Sequence, residues 1–79
     1  MYVIKYHRRA IKELKKLQVK DQKRVIKKLQ ELKSDPYNKR FDIKKYYDAE
    51  RSWRIRIGKV RVIYVVDDNK KGIYINDIG

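Results

Sequence analysis

Three arginines around a glycine turn are the residues of this sequence best suited to chemistry. Apolar and basic residues alternate through residues 53–61, on both sides of Gly58-Lys59. A two-residue turn with glycine first is typical of a type II′ hairpin, and it pairs Arg56 with Arg61. Arg54 shares their face because side chains alternate along a strand. The opposite, core-facing side is then predicted to carry Trp53, Ile55, Ile57, Val60, Val62, Tyr64 and Val66.

Arginines in this arrangement favour an anion as the partner. Like charges directly across a sheet are destabilising, and two charges ~5 Å apart repel by about 1 kcal/mol in water. Folding alone gains nothing from such a cluster. Neutralisation by Asp42, Asp48 or Glu50, or side chains splayed into water, is the structural alternative. We favour phosphate, because the guanidinium fork matches its oxygens with two hydrogen bonds.

RNA cleavage is one reaction that such a face could assist. A 2′-hydroxyl attacks the adjacent phosphate, and positioned arginines can stabilise the charge that grows on the phosphate oxygens. Arginines stay protonated, so they cannot act as general bases. His7 lies at a strand-to-helix junction far along the chain, where a surface or capping role is expected. The residues alone leave the acid and base unassigned, with shifted lysines or tyrosines as candidates.

Composition narrows the class of protein. The 79 residues carry 23 Lys and Arg against 10 Asp and Glu, a net charge of +13, with one histidine and no cysteine. This predicts one domain, no metal, no cofactor and a polyanionic partner. No apolar run has the length of a signal peptide or a membrane span, which predicts a cytoplasmic protein. A membrane surface is disfavoured as the partner, because most aromatic residues lie outside the helices.

Periodicity predicts a strand followed by two helices in the first half of the chain. Tyr2–Tyr6 alternates as a strand, and residues 8–17 have helical spacing. Asp21 is the predicted N-cap of a second helix after a link around Val19-Lys20, and Ser34-Asp35-Pro36 ends that helix. Together these residues predict an antiparallel helical hairpin. The predicted apolar positions are Ala10, Ile11, Leu14 and Leu17 in the first helix and Val25, Ile26, Leu29 and Leu32 in the second.

The second half of the chain is strand-like. Residues 53–57, 60–66 and 73–78 are predicted strands, whereas Phe41–Tyr47 is either a short strand or an irregular connection. The predicted fold class is α+β: an N-terminal strand, a two-helix hairpin and an antiparallel β-meander, with the helices packed on one face.

Residues 53–64 and the opening Tyr-His-Arg-Arg-Ala-Ile-Lys-Glu-Leu-Lys-Lys-Leu resemble the RelE/ParE toxin superfamily of type II toxin-antitoxin modules. The family pattern Tyr-Arg-x-Arg-x-Gly-x-Tyr-Arg-x-x-Tyr is matched, except that Trp53 and Val60 replace tyrosines. Asp77-Ile78-Gly79 resembles the end of the family's last strand. The resemblance covers nearly the whole chain and implies a RelE-like, microbial ribonuclease-like fold.

The resemblance implies a metal-independent toxin that cleaves mRNA in the ribosomal A site. It implies catalytic roles for Arg54, Arg56 and Arg61, which also bind RNA, and an RNA-binding role for Lys44 or Lys45. It further implies a cognate RelB-like antitoxin that wraps the toxin in a hetero-oligomer. Acidic side chains of that partner would give fast association with a chain of charge +13.

The resemblance leaves two alternative functions open, and the sequence differs from the family pattern at its C-terminal end. ParE-like inhibition of DNA gyrase and a noncatalytic basic module that binds RNA or DNA are the alternatives. RelE-like sequences usually continue beyond Asp-Ile-Gly with a segment that carries another basic residue and a catalytic tyrosine. Because the sequence stops at Gly79, we expect a single RelE-like domain, residues 1–79, with impaired cleavage. Tyr64 is expected in the core, and neither Tyr64 nor Tyr74 is assigned the catalytic role.

Overall fold

Two helices and five strands are present in the residues that the computed structural model describes, 1–46 and 51–79. In chain order they are β1 (Val3–Tyr6), α1 (Arg8–Lys15), α2 (Val19–Leu32), β2 (Asp42–Lys45), β3 (Ser52–Ile57), β4 (Val60–Asp67) and β5 (Gly72–Ile78). The ambiguous segment that begins at Phe41 thus contains a short strand. The expectations for Tyr47, Asp48 and Glu50 lie outside the described residues.

The strands form one mixed sheet in the order β1-β5-β4-β3-β2. Strands β2 to β5 are an antiparallel meander, as the sequence predicts, and β1 adds a parallel edge beside β5. The pairing of β1 with β5 is a long-range contact, which the alternation of residues 2–6 does not specify. The α+β class is confirmed, with a mixed sheet in place of an isolated meander.

Helix α1 begins where the chain leaves β1. The Nδ1 atom of His7 accepts a hydrogen bond from the backbone N–H of Arg9 at 3.0 Å, so His7 is the N-cap. A side-chain acceptor at this position satisfies one of the N–H groups that a helix start leaves unpaired. The capping role expected for His7 is confirmed. The helix ends at Lys15, two residues before the predicted end, and Leu17 still packs against the core.

Helix α2 begins earlier than the sequence predicts. Gln18 is the N-cap, and the link between the helices is residues 16–18. The prediction of Asp21 as N-cap and of a link at Val19-Lys20 is therefore wrong. Gln22 explains the earlier start, because its side-chain amide donates to the carbonyl of Lys15, the last residue of α1, and to that of Leu17 in the link. Asp21 instead lies in the first turn, where a carboxylate suits the helix dipole.

The hydrophobic core lies between the helices and one face of the sheet. The helices contribute four buried hydrophobic side chains and strands β3, β4 and β5 contribute the others, and every residue of the arginine hairpin predicted to face the core does so, with Trp53 only partly buried. Ile11 in α1 and Ile26 in α2 are exceptions among the predicted apolar positions of the helices, because each is 40% exposed. None of the helices in the described ranges has the length and apolar character needed to cross a lipid bilayer. The helix residues in the core are Ala10, Val25, Leu29 and Leu32.

Candidate nucleic-acid interface

The turn between β3 and β4 sets the positions of the arginines. Arg56 pairs with Arg61 and Ile57 with Val60, which is the predicted register. Gly58 has a φ of 60°, the left-handed conformation that the first position of a type II′ turn requires. We call Arg54, Arg56 and Arg61 the arginine face. They share the side of the sheet opposite the helices.

Neighbouring strands extend this face in two rows across the sheet. One row runs from Lys44 through Arg54 and Ile63 to Asp77. The other begins at Asp42, passes through the two paired arginines and ends at Gly79, whose backbone exchanges two hydrogen bonds of 2.8 Å with Arg61. The basic residues of these two rows, which cross four strands, therefore lie on one surface.

The arginines of this face are available to an external anion. Arg56 and Arg61 are exposed and Arg54 is half-buried. Within residues 1–46 and 51–79, none of the three has a carboxylate oxygen within 4.0 Å. Asp42 lies directly across from Arg56 without forming such a pair, so its predicted alternative role as a neutralising neighbour is not observed. Asp48 and Glu50, the other two, lie outside the described residues.

A cleft of about 560 Å³ opens on this surface. Four of the five basic residues singled out in the sequence line it: Lys44, Lys45, Arg54 and Arg61. Arg56 lies on the same face but outside the cleft. The register assigns Lys45 to the side of the sheet that bears Trp53, yet at the end of an edge strand its side chain still lines the cleft.

Helix α2 supports the tip of the arginine hairpin. The ammonium group of Lys59 lies 3.7 Å from the buried carboxylate of Asp21. The guanidinium group of Arg24 also lies against Gly58, since a Cβ atom added there would be 2.8 Å from its Nη1. The first turns of α2 therefore hold the turn that separates Arg56 from Arg61.

Two residues considered for proton transfer do not line the cleft. Tyr64 is fully buried, and its hydroxyl donates to the Pro36 carbonyl at 2.7 Å. Burial raises the pKa of Tyr64 well above its ordinary value of 10.0. His7 is occupied as the helix cap. The expected core position of Tyr64 is confirmed.

Several residues that line the cleft are not predicted from the sequence. Glu13 reaches it from α1, Tyr46 follows β2, and Asp77 enters from β5. Glu13 and Asp77 are 64 positions apart along the chain, and their proximity depends on how α1 packs beside β5. The sequence offers one signal for Glu13: Arg9 and Glu13 are four positions apart, so they share a face of the helix and can contact the same strand.

The sheet, the helical hairpin and the arginine face define a small α+β protein with a cationic surface on one face of its sheet. Residues 4–79 match the family model of the ParE toxin of type II toxin-antitoxin systems, parDE. A curated relative from Methanocaldococcus jannaschii, named "Putative toxin RelE1", is 39% identical over 64 residues, which are 80% of this chain and 71% of the relative.

Solved structures with the same fold include toxins bound to their antitoxins. The archaeal RelE-RelB complex from Pyrococcus horikoshii OT3 matches with a TM-score of 0.85 and 29% identity, covering 98% of this chain and 91% of that one. The intact E. coli RelBE complex matches with a TM-score of 0.85 and 25% identity, covering 100% and 95%. The chain belongs to the ParE toxin family and is a type II toxin of the RelE/ParE superfamily.

Proposed function

We propose that this toxin is a metal-independent endonuclease that cleaves mRNA in the ribosomal A site, in the cytoplasm. The observation that carries the proposal is the arginine face, three guanidinium groups held together on one exposed sheet surface without a carboxylate within 4.0 Å among the described residues. A mutual repulsion of this kind is relieved by a bound phosphate. The similarity to RelE proteins supports RNA as the source of that phosphate.

The arginines have a defined part in the proposed reaction. The 2′-hydroxyl of the RNA loses its proton and its oxygen attacks the adjacent phosphorus. The bond to the 5′-oxygen breaks and that oxygen takes up a proton, so a 2′,3′-cyclic phosphate and a 5′-hydroxyl result. Arg54 and Arg61, which line the cleft, stabilise the charge that develops on the nonbridging oxygens, and Arg56 binds the adjoining phosphate. Losing one such donor typically costs ~10²–10³ in rate.

Lys44 and Lys45 extend the proposed RNA site along β2. Both line the cleft, and Lys44 is the direct cross-strand neighbour of Arg54. Their ammonium groups would contact the RNA backbone beside the scissile phosphate. Phosphate contacts position a strand without reading its bases, so sequence selection falls to the translating ribosome in this proposal.

We also propose a RelB-like antitoxin as the partner of this chain. The similar Pyrococcus horikoshii and E. coli toxins were each solved with RelB. A net charge of +13 favours an acidic partner and rapid association with it. Covering the arginine face with carboxylates would block access of RNA.

The decisive experiment is cell-free translation of a defined message followed by primer extension. We expect cuts that depend on translation and fall at a fixed codon position, and their absence with the R54A/R56A/R61A variant. The K20A/K23A/K27A variant is the matched control, because it removes three exposed charges of α2, none of which lines the cleft. Uncut message in the presence of folded wild-type toxin would contradict the proposal.

Inhibition of DNA gyrase is the second candidate, and the ParE name of the matching family model is the observation that favours it. Induction of the toxin in cells followed by pulsed-field electrophoresis separates the two. Accumulated double-strand breaks with an intact message would support the gyrase target. If the message is uncut and the DNA is unbroken, the result supports a noncatalytic basic module.

A further inference from the structure

Strand β5 contains a bulge that changes which face of the sheet its last residues occupy. Tyr64 pairs with Ile75, whereas the preceding residue Ile63 pairs with Asp77, so Asn76 is an additional residue. In a regular strand, positions 75 and 78 would lie on opposite faces. Here both isoleucines are buried, and the bulge leaves Asp77 on the side of the arginine face.

This position makes Asp77 a competitor for the arginines. It is the diagonal neighbour of Arg61, since Arg61 pairs with Gly79, and such neighbours are roughly 7–8 Å apart. That separation is within the reach of an arginine side chain, and Asp77 lines the cleft with Arg54 and Arg61. A carboxylate there can occupy the guanidinium groups that phosphate would otherwise bind.

The Asp77 carboxylate instead pairs with a side chain of helix α1. The Nε atom of Arg9 lies 2.9 Å from an Asp77 carboxylate oxygen. One turn further along the same helix face, Glu13 accepts a hydrogen bond of 3.0 Å from the backbone N–H of Ile78. Two successive residues of the bulged strand are thus held by α1, one by its side chain and one by its backbone.

We infer that Arg9 is a positioning residue that keeps the arginine face open by pairing with Asp77. The inference rests on the proposed function, because it assigns Arg9 a role in the affinity of that face for a phosphate backbone. Arg9 acts through Asp77 and needs no contact with RNA. Without Arg9, the Asp77 carboxylate turns towards Arg61 and weakens phosphate binding.

A double-mutant cycle tests this assignment. Affinity for a fluorescently labelled single-stranded RNA is measured by anisotropy at low salt for the wild type, R9A, D77N and R9A/D77N. One unit charge ~7 Å away changes an equilibrium constant by roughly threefold in water and by more at lower effective dielectric. We expect R9A to bind at least threefold more weakly, D77N to bind as well as wild type or better, and the double variant to recover.

Two further variants separate positioning from total charge. K12A removes the same charge from α1 without an Asp77 contact and should lose less affinity than R9A. R9K keeps the charge and should stay near the wild type. Weak binding that persists in R9A/D77N would overturn the inference and indicate that Arg9 contacts RNA directly, and equal losses for R9A and K12A would also overturn it.

The same four proteins are then compared on a heparin column, where the salt concentration that elutes each one measures its affinity for a polyanion. If wild-type toxin binds heparin but not RNA, the proposed function fails while the coupling between Arg9 and Asp77 is still measured. If wild-type toxin binds and cleaves RNA but the cycle shows no coupling on either ligand, only the role of Arg9 fails. Melting temperatures of all variants establish that each is folded.

Discussion

Arg56 and Arg61 face each other directly across β3 and β4, separated from the turn at Gly58 by one residue pair, Ile57 and Val60. Two cations in this relationship oppose folding, and the described residues supply no carboxylate within 4.0 Å of either one. The hairpin therefore stores a repulsion that an external anion relieves. Substitutions here should separate stability from binding, because the two depend on the arginines with opposite sign.

Replacing Arg56 or Arg61 with alanine should leave the melting temperature unchanged or raise it. The relieved repulsion is about 1 kcal/mol for charges ~5 Å apart in water. Each substitution should also weaken RNA binding and reduce the slope of log affinity against log salt by roughly 0.7 for each lost phosphate contact on a single strand. Anisotropy titrations at several salt concentrations measure the slope, with exposed Lys27→Ala as the control. An unchanged slope would contradict phosphate binding.

Tyr64→Phe should destabilise the protein without altering the cleft. The substitution leaves the buried carbonyl of Pro36 without its 2.7 Å hydrogen bond, which costs about 1–3 kcal/mol. Urea unfolding measures the loss. Tyr74→Phe is the control, since Tyr74 forms no side-chain hydrogen bond within the described ranges, and it should change stability by less than about 0.5 kcal/mol. A loss of RNA binding in folded Tyr64→Phe would contradict the assignment of Tyr64 to the core.

Glu13→Ala should lower the free energy of unfolding by about 1 kcal/mol, because the part-buried N–H of Ile78 loses its acceptor. Glu13→Gln retains a side-chain oxygen and should lose less. Comparison of the two variants by chemical denaturation isolates the hydrogen bond from the charge. Equal losses would show that the charge of Glu13 matters more than the contact with β5.

Asp68 should make stability fall in acid. Hydrogen bonds from the hydroxyls of Tyr2 (2.5 Å) and Tyr37 (2.9 Å) hold the pKa of Asp68 below its ordinary 3.8. A lowered folded-state pKa stabilises the protein above pH 3.8, and that contribution is lost as the pH falls through the lowered value. The urea midpoint should therefore drop less between pH 7 and pH 2 in Asp68→Asn than in the wild type.

Asp42→Asn is the control for this acid dependence. Asp42 is an exposed carboxylate with no ion pair in the described part of the chain. Its substitution should leave the difference between the two midpoints close to that of the wild type. An Asp68→Asn variant as acid-sensitive as the wild type would show that the two tyrosine contacts add nothing to stability.

Local patterns account for what the sequence analysis predicted correctly. The alternation in residues 53–57 and 60–66 and the turn at Gly58 are short-range features, and a two-residue turn leaves one register. The same reasoning was wrong at Asp21, because the side chain of Gln22 caps α1 and lets α2 begin at Val19. The start of α2 therefore depends on a contact between the two helices, which the capping preference of a single residue does not predict.

The sequence by itself determined the two helices, the antiparallel meander and the arginine face, because each depends on residues close together in the chain. Only the tertiary structure decided that β1 lies parallel to β5, that β5 bulges at Asn76, and that Arg9 and Glu13 hold its end. The β1–β5 pairing and the two contacts of α1 join residues more than 60 positions apart, and packing rather than periodicity brings them together. The arginines are thus specified locally, whereas their freedom from Asp77 depends on the folded chain.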